Sequence, residues 1–109
     1  MPEIREYLTA DGFSPFQQWF RRLDAPPRAR VAAALERLAE GNPGDHRGVG
    51  MGVLEIRLHT GPGYRIYFGR DGDVLVILLA GGIKRRQRED LQMAQERWQD
   101  YRRRKLQER

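Results

Sequence analysis

Two arginines on neighbouring predicted strands are the residues of this sequence best placed to do chemistry. Arg57 and Arg65 flank the segment Gly61-Pro62-Gly63, and each lies in a stretch where apolar and polar residues alternate. This alternation predicts the two arms of a hairpin with one packed face and one polar face. A guanidinium group held on a sheet can bind a phosphate through two parallel hydrogen bonds. We therefore predict a phosphate-binding site on the polar face.

The same alternation limits how the two arms can pair. The even-numbered positions of both arms are apolar, and a slip of one residue would send the arginines into the core. Even positions must therefore face even positions, which places Arg57 opposite either Tyr67 or Arg65. Like charges directly opposite one another are destabilising. We expect Glu55, an acidic partner or a polyanionic ligand to offset the repulsion; alternatively, Glu55 simply pairs with Arg57 on a solvated face.

Length and composition restrict the class of protein. The chain has 109 residues, which predicts a single domain over 1–109 with one core. It has no cysteine, which excludes disulfides and thiol nucleophiles, and its two histidines, His46 and His59, show no metal-ligand spacing. It also lacks an apolar run long enough for a membrane span or a signal peptide. We expect a cytoplasmic protein with no metal, no small-molecule cofactor and no membrane partner.

The positive charge is concentrated at the end of the chain. Residues 83–109 hold ten Lys and Arg against five Asp and Glu, whereas the two signs balance over residues 1–82. The whole net charge of +5 therefore lies in a predicted basic C-terminal helix or tail, at about 84–109, which favours a nucleic acid partner. Alternatively, Arg102-Arg103-Arg104-Lys105 is a solvated helix end whose cations suit the helix dipole.

Local signals predict the elements that precede the hairpin. Residues 3–8 form a weak strand candidate, and Ser14-Pro15-Phe16-Gln17 carries an N-cap, a first-turn proline and a capping glutamine. A second helix begins after Asp24 and ends before Gly41. Two short helices in succession predict a helical hairpin. Residues 41–52 contain five glycines and are predicted to be a loop.

The segments after the hairpin predict a central strand and a covering helix. Arg70-Asp71-Gly72-Asp73 indicates a two-residue turn into the apolar run 74–80. That turn would place Ile66 near Ile77 and put Val76 and Leu78 on the arginine face. The cover for that face would be a partner's apolar segment or the last helix, whose apolar stripe is Leu91, Ala94, Trp98 and Tyr101. The expected fold is α+β: a small antiparallel sheet packed with an N-terminal helical hairpin and a C-terminal helix.

This order of elements, with arginines on the middle strands, resembles the RelE/ParE superfamily of bacterial toxins. Three segments resemble its phage-derived "addiction module killer protein" branch, close to HigB toxins: Leu54-Glu55-Ile56-Arg57, Gly63-Tyr64-Arg65-Ile66-Tyr67, and Leu78-Leu79-Ala80-Gly81-Gly82 followed by Lys84. The resemblance implies a RelE/ParE-like fold and a ribosome-dependent mRNA endonuclease. It also implies mRNA and the ribosome as partners, and a cognate antitoxin with a helix-turn-helix domain.

The resemblance places a cationic cluster on Arg57, Arg65, Lys84 and Arg85. The sequence differs from the family pattern at two places that concern general acid-base catalysis. Ile83 stands where the branch usually has an acidic residue, and residues 84–91 contain no tyrosine or histidine to act as acid or base. We add Glu55 to the predicted catalytic set. The predicted RNA-binding residues are Tyr67, His59, Arg86 and Arg88.

A cationic cluster of this kind suits metal-free RNA cleavage. The 2′-hydroxyl attacks the adjacent phosphorus, the 5′-oxygen departs, and fixed arginines stabilise the charge that builds on the phosphoryl oxygens. Glu55 is either the base or a structural partner of Arg57, Tyr67 either packs, stacks or acts as an acid, and His59 assists or only flanks the turn. Two other functions stay open: a ParE-like toxin that inhibits gyrase by binding, and a non-toxic basic protein that binds nucleic acid.

Overall fold

The protein consists of a five-stranded sheet with helices packed on both faces. The computed structural model describes residues 1–108. Its elements in chain order are β1 (Glu3–Glu6), α1 (Pro15–Arg22), α2 (Ala25–Ala39), β2 (His46–Gly48), β3 (Val53–Leu58), β4 (Tyr64–Asp71), β5 (Leu75–Ile83) and α3 (Gln87–Gln107), with a 3₁₀ turn at Lys84–Arg86 before α3. The strands lie in the order β1-β5-β4-β3-β2.

The sheet is mixed, whereas the sequence predicted an antiparallel one. The edge strand β1 runs parallel to β5, with Glu3 opposite Leu75. Hairpin turns fix the direction of β3, β4 and β5, but no hairpin joins β1 to its neighbour, so only long-range packing sets its direction. The predicted loop at 41–52 is wrong in part, because β2 pairs with β3 there. All three residues of β2 are exposed, which leaves no alternation to reveal a strand.

Helices α1 and α2 cover the face of the sheet that carries the even positions of the hairpin. The predicted start of α1 is confirmed, since the Ser14 hydroxyl accepts a hydrogen bond from the Gln17 N–H at 3.1 Å. The core on this face combines residues of both helices with residues of β3, β4 and β5: Phe16, Val31, Ala34, Leu38, Ile56, Ile66, Phe68, Val76 and Leu78. Trp19 lies directly over Gly81, where a Cβ atom would collide with the indole ring.

The predicted register between β4 and β5 is wrong. Val76 and Leu78 pack beneath α1 and α2 instead of beside the arginines. The reason is the turn: Asp71 pairs with Leu75, so the connection has the three residues 72–74 instead of two. A loop longer by one residue turns every side chain of the following strand to the opposite face.

A bulge shifts the same pair of strands once more. Ile66 lies opposite Gly81, not near Ile77, and the register changes between Tyr67 and Phe68. The extra residue in β5 is left unpaired, which is the usual effect of a bulge. The three-residue turn and the bulge both depend on local backbone geometry. Strand β5 is apolar on both faces, so its sequence has no alternation from which its register could be predicted.

Helix α3 covers the opposite face, which is one of the two covers that the sequence allowed. Ala94 and Trp98 are buried there among Tyr67, Ile77 and Leu79, while Leu91 and Tyr101 pack at the margin. The sheet accommodates Trp98 at Gly69, where a Cβ atom would lie only 2.5 Å from the indole. Within residues 1–108, no helix is long and apolar enough to cross a membrane.

The last turns of α3 form hydrogen bonds with Tyr7, the residue after β1, and with Asp71 at the end of β4. The Tyr7 hydroxyl donates to the Asp100 carboxylate at 2.7 Å, and Arg104 donates to the Tyr7 hydroxyl at 2.8 Å. Hydrogen bonds, first from Arg104 and then from Tyr7, lower the pKa of Asp100 to about 2. The Tyr101 hydroxyl donates to Asp71 at 2.7 Å. Polar contacts therefore hold this end of the helix on the sheet.

Candidate phosphate-binding site

The two arginines of the hairpin lie directly opposite one another. Arg57 on β3 pairs with Arg65 on β4, which is one of the two registers that the sequence allowed, and the five-residue connection 59–63 is odd as required. Lys84, the residue after β5, lies beside them, since its N–H donates to the Pro62 carbonyl at 3.3 Å. A Cβ atom on Gly63 would lie 3.1 Å from the Lys84 Cβ. Three cationic residues therefore meet at this end of the sheet.

A fully buried carboxylate lies beneath these cations. Glu55 is 0% exposed, and its Oε1 atom lies 3.2 Å from the Nε atom of Arg47. Its Oε2 atom accepts a hydrogen bond from the Gln87 amide at 2.9 Å and lies 3.9 Å from Arg65 Nε. One carboxylate therefore joins β2, β4 and the start of α3, and it offsets the charge of Arg65.

Glu55 is not the partner of Arg57, which corrects one interpretation of the sequence. The Arg57 guanidinium lies 3.1 Å from the Asp45 carboxylate, which also contacts the imidazole of His59. Hydrogen bonds from His59 and then from Arg57 lower the pKa of Asp45. The Arg57 N–H also donates to the Asp45 carbonyl at 2.9 Å. Asp45 therefore positions both basic side chains.

Arg65 and Tyr67 are buried, although alternation predicted a polar, accessible face for both. Arg65 is 7% exposed and donates weakly to the Gly63 carbonyl at 3.4 Å. Tyr67 is 0% exposed, and its hydroxyl has no hydrogen-bond partner of ordinary geometry within residues 1–108. Burial and then the charge of Glu55 raise the pKa of Tyr67, so the phenol stays protonated. Tyr67 packs in the core and offers no surface for a base to stack on.

The other predicted residues lie at the surface around this site. Arg57 keeps a third of its side chain exposed, and His59 keeps 70%. The remaining cations are exposed on the 3₁₀ turn and the first turn of α3: Lys84, Arg85, Arg86 and Arg88. The accessible part of the site is therefore Arg57, His59 and Lys84, whereas Arg65 is buried.

Three polar residues of this site were missed in the sequence. Asp45 and Arg47 lie in a segment that was predicted to be a loop, so nothing marked them as neighbours of the hairpin. Gln87 carries no charge and sits in a predicted helix far along the chain. The available signal was Glu55 itself, which lies on the face that α3 covers. A buried carboxylate requires polar partners, so partners from other elements could have been expected.

The fold and this site define a small α+β protein that presents cations at one end of a sheet, over a buried carboxylate. The chain belongs to the phage derived protein Gp49-like family (DUF891), whose model matches residues 18–99. It is also 40% identical over 80 residues to an uncharacterized protein of Haemophilus influenzae (strain ATCC 51907 / DSM 11121 / KW20 / Rd), and this match covers 72% of the present chain and 81% of that protein. The family match spans the arginine hairpin and Lys84.

Proposed function

We propose that this protein is the toxin of a type II toxin-antitoxin module, of the RelE/ParE superfamily and HigB-like, and that it cleaves mRNA on the ribosome. The observation that carries the proposal is the pairing of Arg57 with Arg65 beside Lys84, over the buried Glu55. Membership of a phage-derived family supports a toxin of this kind. The arrangement suits a reaction whose main requirement is stabilisation of phosphoryl charge.

The exposure of each residue determines the role that we assign to it. Arg57 and Lys84 would contact the phosphate, and Arg65 would add its charge from beneath. Glu55 has both carboxylate oxygens engaged and no exposure, so it holds arginines in place and does not take the 2′-hydroxyl proton. His59 is the exposed titratable group next to Arg57, and Asp45 orients it. His59 is therefore our candidate for the base.

A cognate antitoxin with a helix-turn-helix domain would neutralise the toxin. Its acidic or amphipathic segment would bind the basic surface of residues 83–109, where the net positive charge lies. Part of that charge is already used within the protein, since Arg104 and Lys105 contact Asp100 and Asp71. The first turns of α3 therefore offer the most accessible cations to such a partner.

The burial of Arg65 and Glu55 favours a second candidate, a ParE-like toxin that inhibits DNA gyrase by binding. Such a protein requires no reacting groups, and two of the five residues in the predicted catalytic set are closed to direct contact with a substrate. A non-toxic nucleic-acid-binding protein is the third candidate. The three differ in what they do to growth, transcripts and DNA.

The test is to induce the gene in a bacterium and map mRNA ends, with Arg57→Ala alongside. We expect growth arrest with new transcript ends in the parent, and a loss of about 100-fold to 1,000-fold in cleavage for Arg57→Ala, the usual effect of removing one charge-stabilising donor. Arg70→Ala is the control, since this exposed strand arginine lies at the opposite end of β4. Intact transcripts with gyrase-dependent DNA breaks would establish the second candidate, and normal growth the third.

A further inference from the structure

A basic groove runs from the candidate site around the edge of the sheet onto helix α2. It has a volume of about 310 Å³ and is lined by Arg30, Ala33, Arg37, Arg57, Leu58, His59 and Thr60. The groove exists because β2 pairs with β3 only as far as Ile56, which leaves the end of β3 without a neighbouring strand. Arg57 lines both the groove and the candidate site, so the two surfaces are continuous.

The groove is held in shape from both sides. Arg30 of α2 donates a hydrogen bond to the Thr60 hydroxyl in the β3–β4 loop. Asp45 contacts both Arg57 and His59 at the other wall. Arg30, Arg57 and His59 are therefore positioned by contacts within the protein, which limits the entropy lost when they bind a ligand.

Arg30 and Arg37 lie seven residues apart, so they face the same side of α2, about 10 Å apart along its axis. Both are exposed, and neither forms an ion pair within residues 1–108. Guanidinium groups in a row, joined to a phosphate-binding site, match a phosphodiester backbone better than a single small anion.

We propose that this groove binds the phosphate backbone of an RNA strand on one side of the phosphate held at Arg57. Arg30 and Arg37 would each contact one phosphate, and the strand would pass over the end of β3 between α2 and the hairpin loop. The choice of RNA as ligand rests on the proposed function. The groove itself rests only on the arrangement of these side chains.

The test is the salt dependence of binding to a short fluorescent RNA with 2′-O-methyl groups, which lacks the attacking hydroxyl and stays intact. Each phosphate contact to a single strand contributes about 0.7 to the slope of log affinity against log salt concentration. We expect the double variant Arg30→Gln with Arg37→Gln to reduce the slope by about 1.4. Glutamine keeps good helix propensity, and circular dichroism checks the fold.

The matched control is Arg21→Gln with Arg22→Gln, which removes the same charge from two exposed arginines at the end of α1. The slope of the control should equal that of the parent. The proposal would be overturned if the double variant at Arg30 and Arg37 kept the parent slope, or if the control lost as much. Either result would favour a groove that binds a protein, or arginines that only face solvent. Because this assay involves no cleavage, its result is independent of whether Arg57→Ala abolishes mRNA cleavage.

Discussion

Replacing Glu55 by glutamine tests whether this carboxylate is a structural counterion or a catalytic base. The substitution keeps the size of the side chain and its hydrogen bond with Gln87, but removes the charge that faces Arg65 at 3.9 Å. Arg65 is 7% exposed, so its guanidinium has little access to water as a substitute. The variant therefore leaves a buried positive charge without its counterion.

Removing one partner of a buried ion pair costs about 3–5 kcal/mol. We expect the lower end of that range, about 3 kcal/mol, because the glutamine amide still accepts and donates hydrogen bonds. With a urea dependence of about 1.5 kcal/mol/M, the unfolding midpoint should fall by about 2 M. Cleavage by the folded protein should fall by less than the 100-fold that a general base contributes at minimum.

The control is Arg47→Gln, which removes the other arginine partner of the same carboxylate. Arg47 has 52% of its side chain exposed, so this change should cost no more than about 1 kcal/mol. An unchanged midpoint in Glu55→Gln would refute the role of counterion. A loss of several hundredfold in cleavage at parental stability would instead make Glu55 the base.

Two further predictions concern the packing of α3. Gly69→Ala should destabilise the protein by about 1–3 kcal/mol in urea unfolding, because its Cβ atom would lie 2.5 Å from the Trp98 ring. The control Gly48→Ala should be close to neutral, because no atom lies within 4 Å of the new Cβ. Equal effects of the two substitutions would contradict the close approach of Trp98 to Gly69. Asp100→Asn should be less stable than the parent near neutral pH. Because the folded-state pKa of Asp100 is lowered to about 2, the stability it contributes is complete above its ordinary pKa of 3.8 and is lost as the pH falls towards 2. The two unfolding curves should therefore converge in acid, and a constant difference between them would show that the carboxylate charge is not responsible.

The parts of the fold that follow from local pattern were predictable from the sequence. The N-cap at Ser14, the odd connection that restricts the partner of Arg57 to Arg65 or Tyr67, and the apolar stripe of α3 each depend on residues close together in the chain. The turn at 72–74 was predicted one residue too short, and this reversed the faces of β5.

The surroundings of the candidate site were harder to predict. Whether a polar strand position is exposed depends on what packs over it, and Arg65 is buried although its pattern is that of a solvated face. The partners of Glu55 come from β2 and α3, which lie 8 and 32 residues away in the sequence. Such contacts depend on how distant elements pack together. The alternation of apolar and polar residues along one strand carries no information about that packing.

The hydrogen bond between Gln87 and Glu55 has a consequence for newly made protein. Synthesis proceeds from the N-terminus, so the sheet leaves the ribosome before the last helix does. Until α3 packs, the Glu55 carboxylate lacks its Gln87 partner, and the face that buries Arg65 is uncovered. The arginine pair therefore reaches its final arrangement only after α3 has been made and has packed on the sheet, so the site is incomplete in a nascent chain that stops before α3.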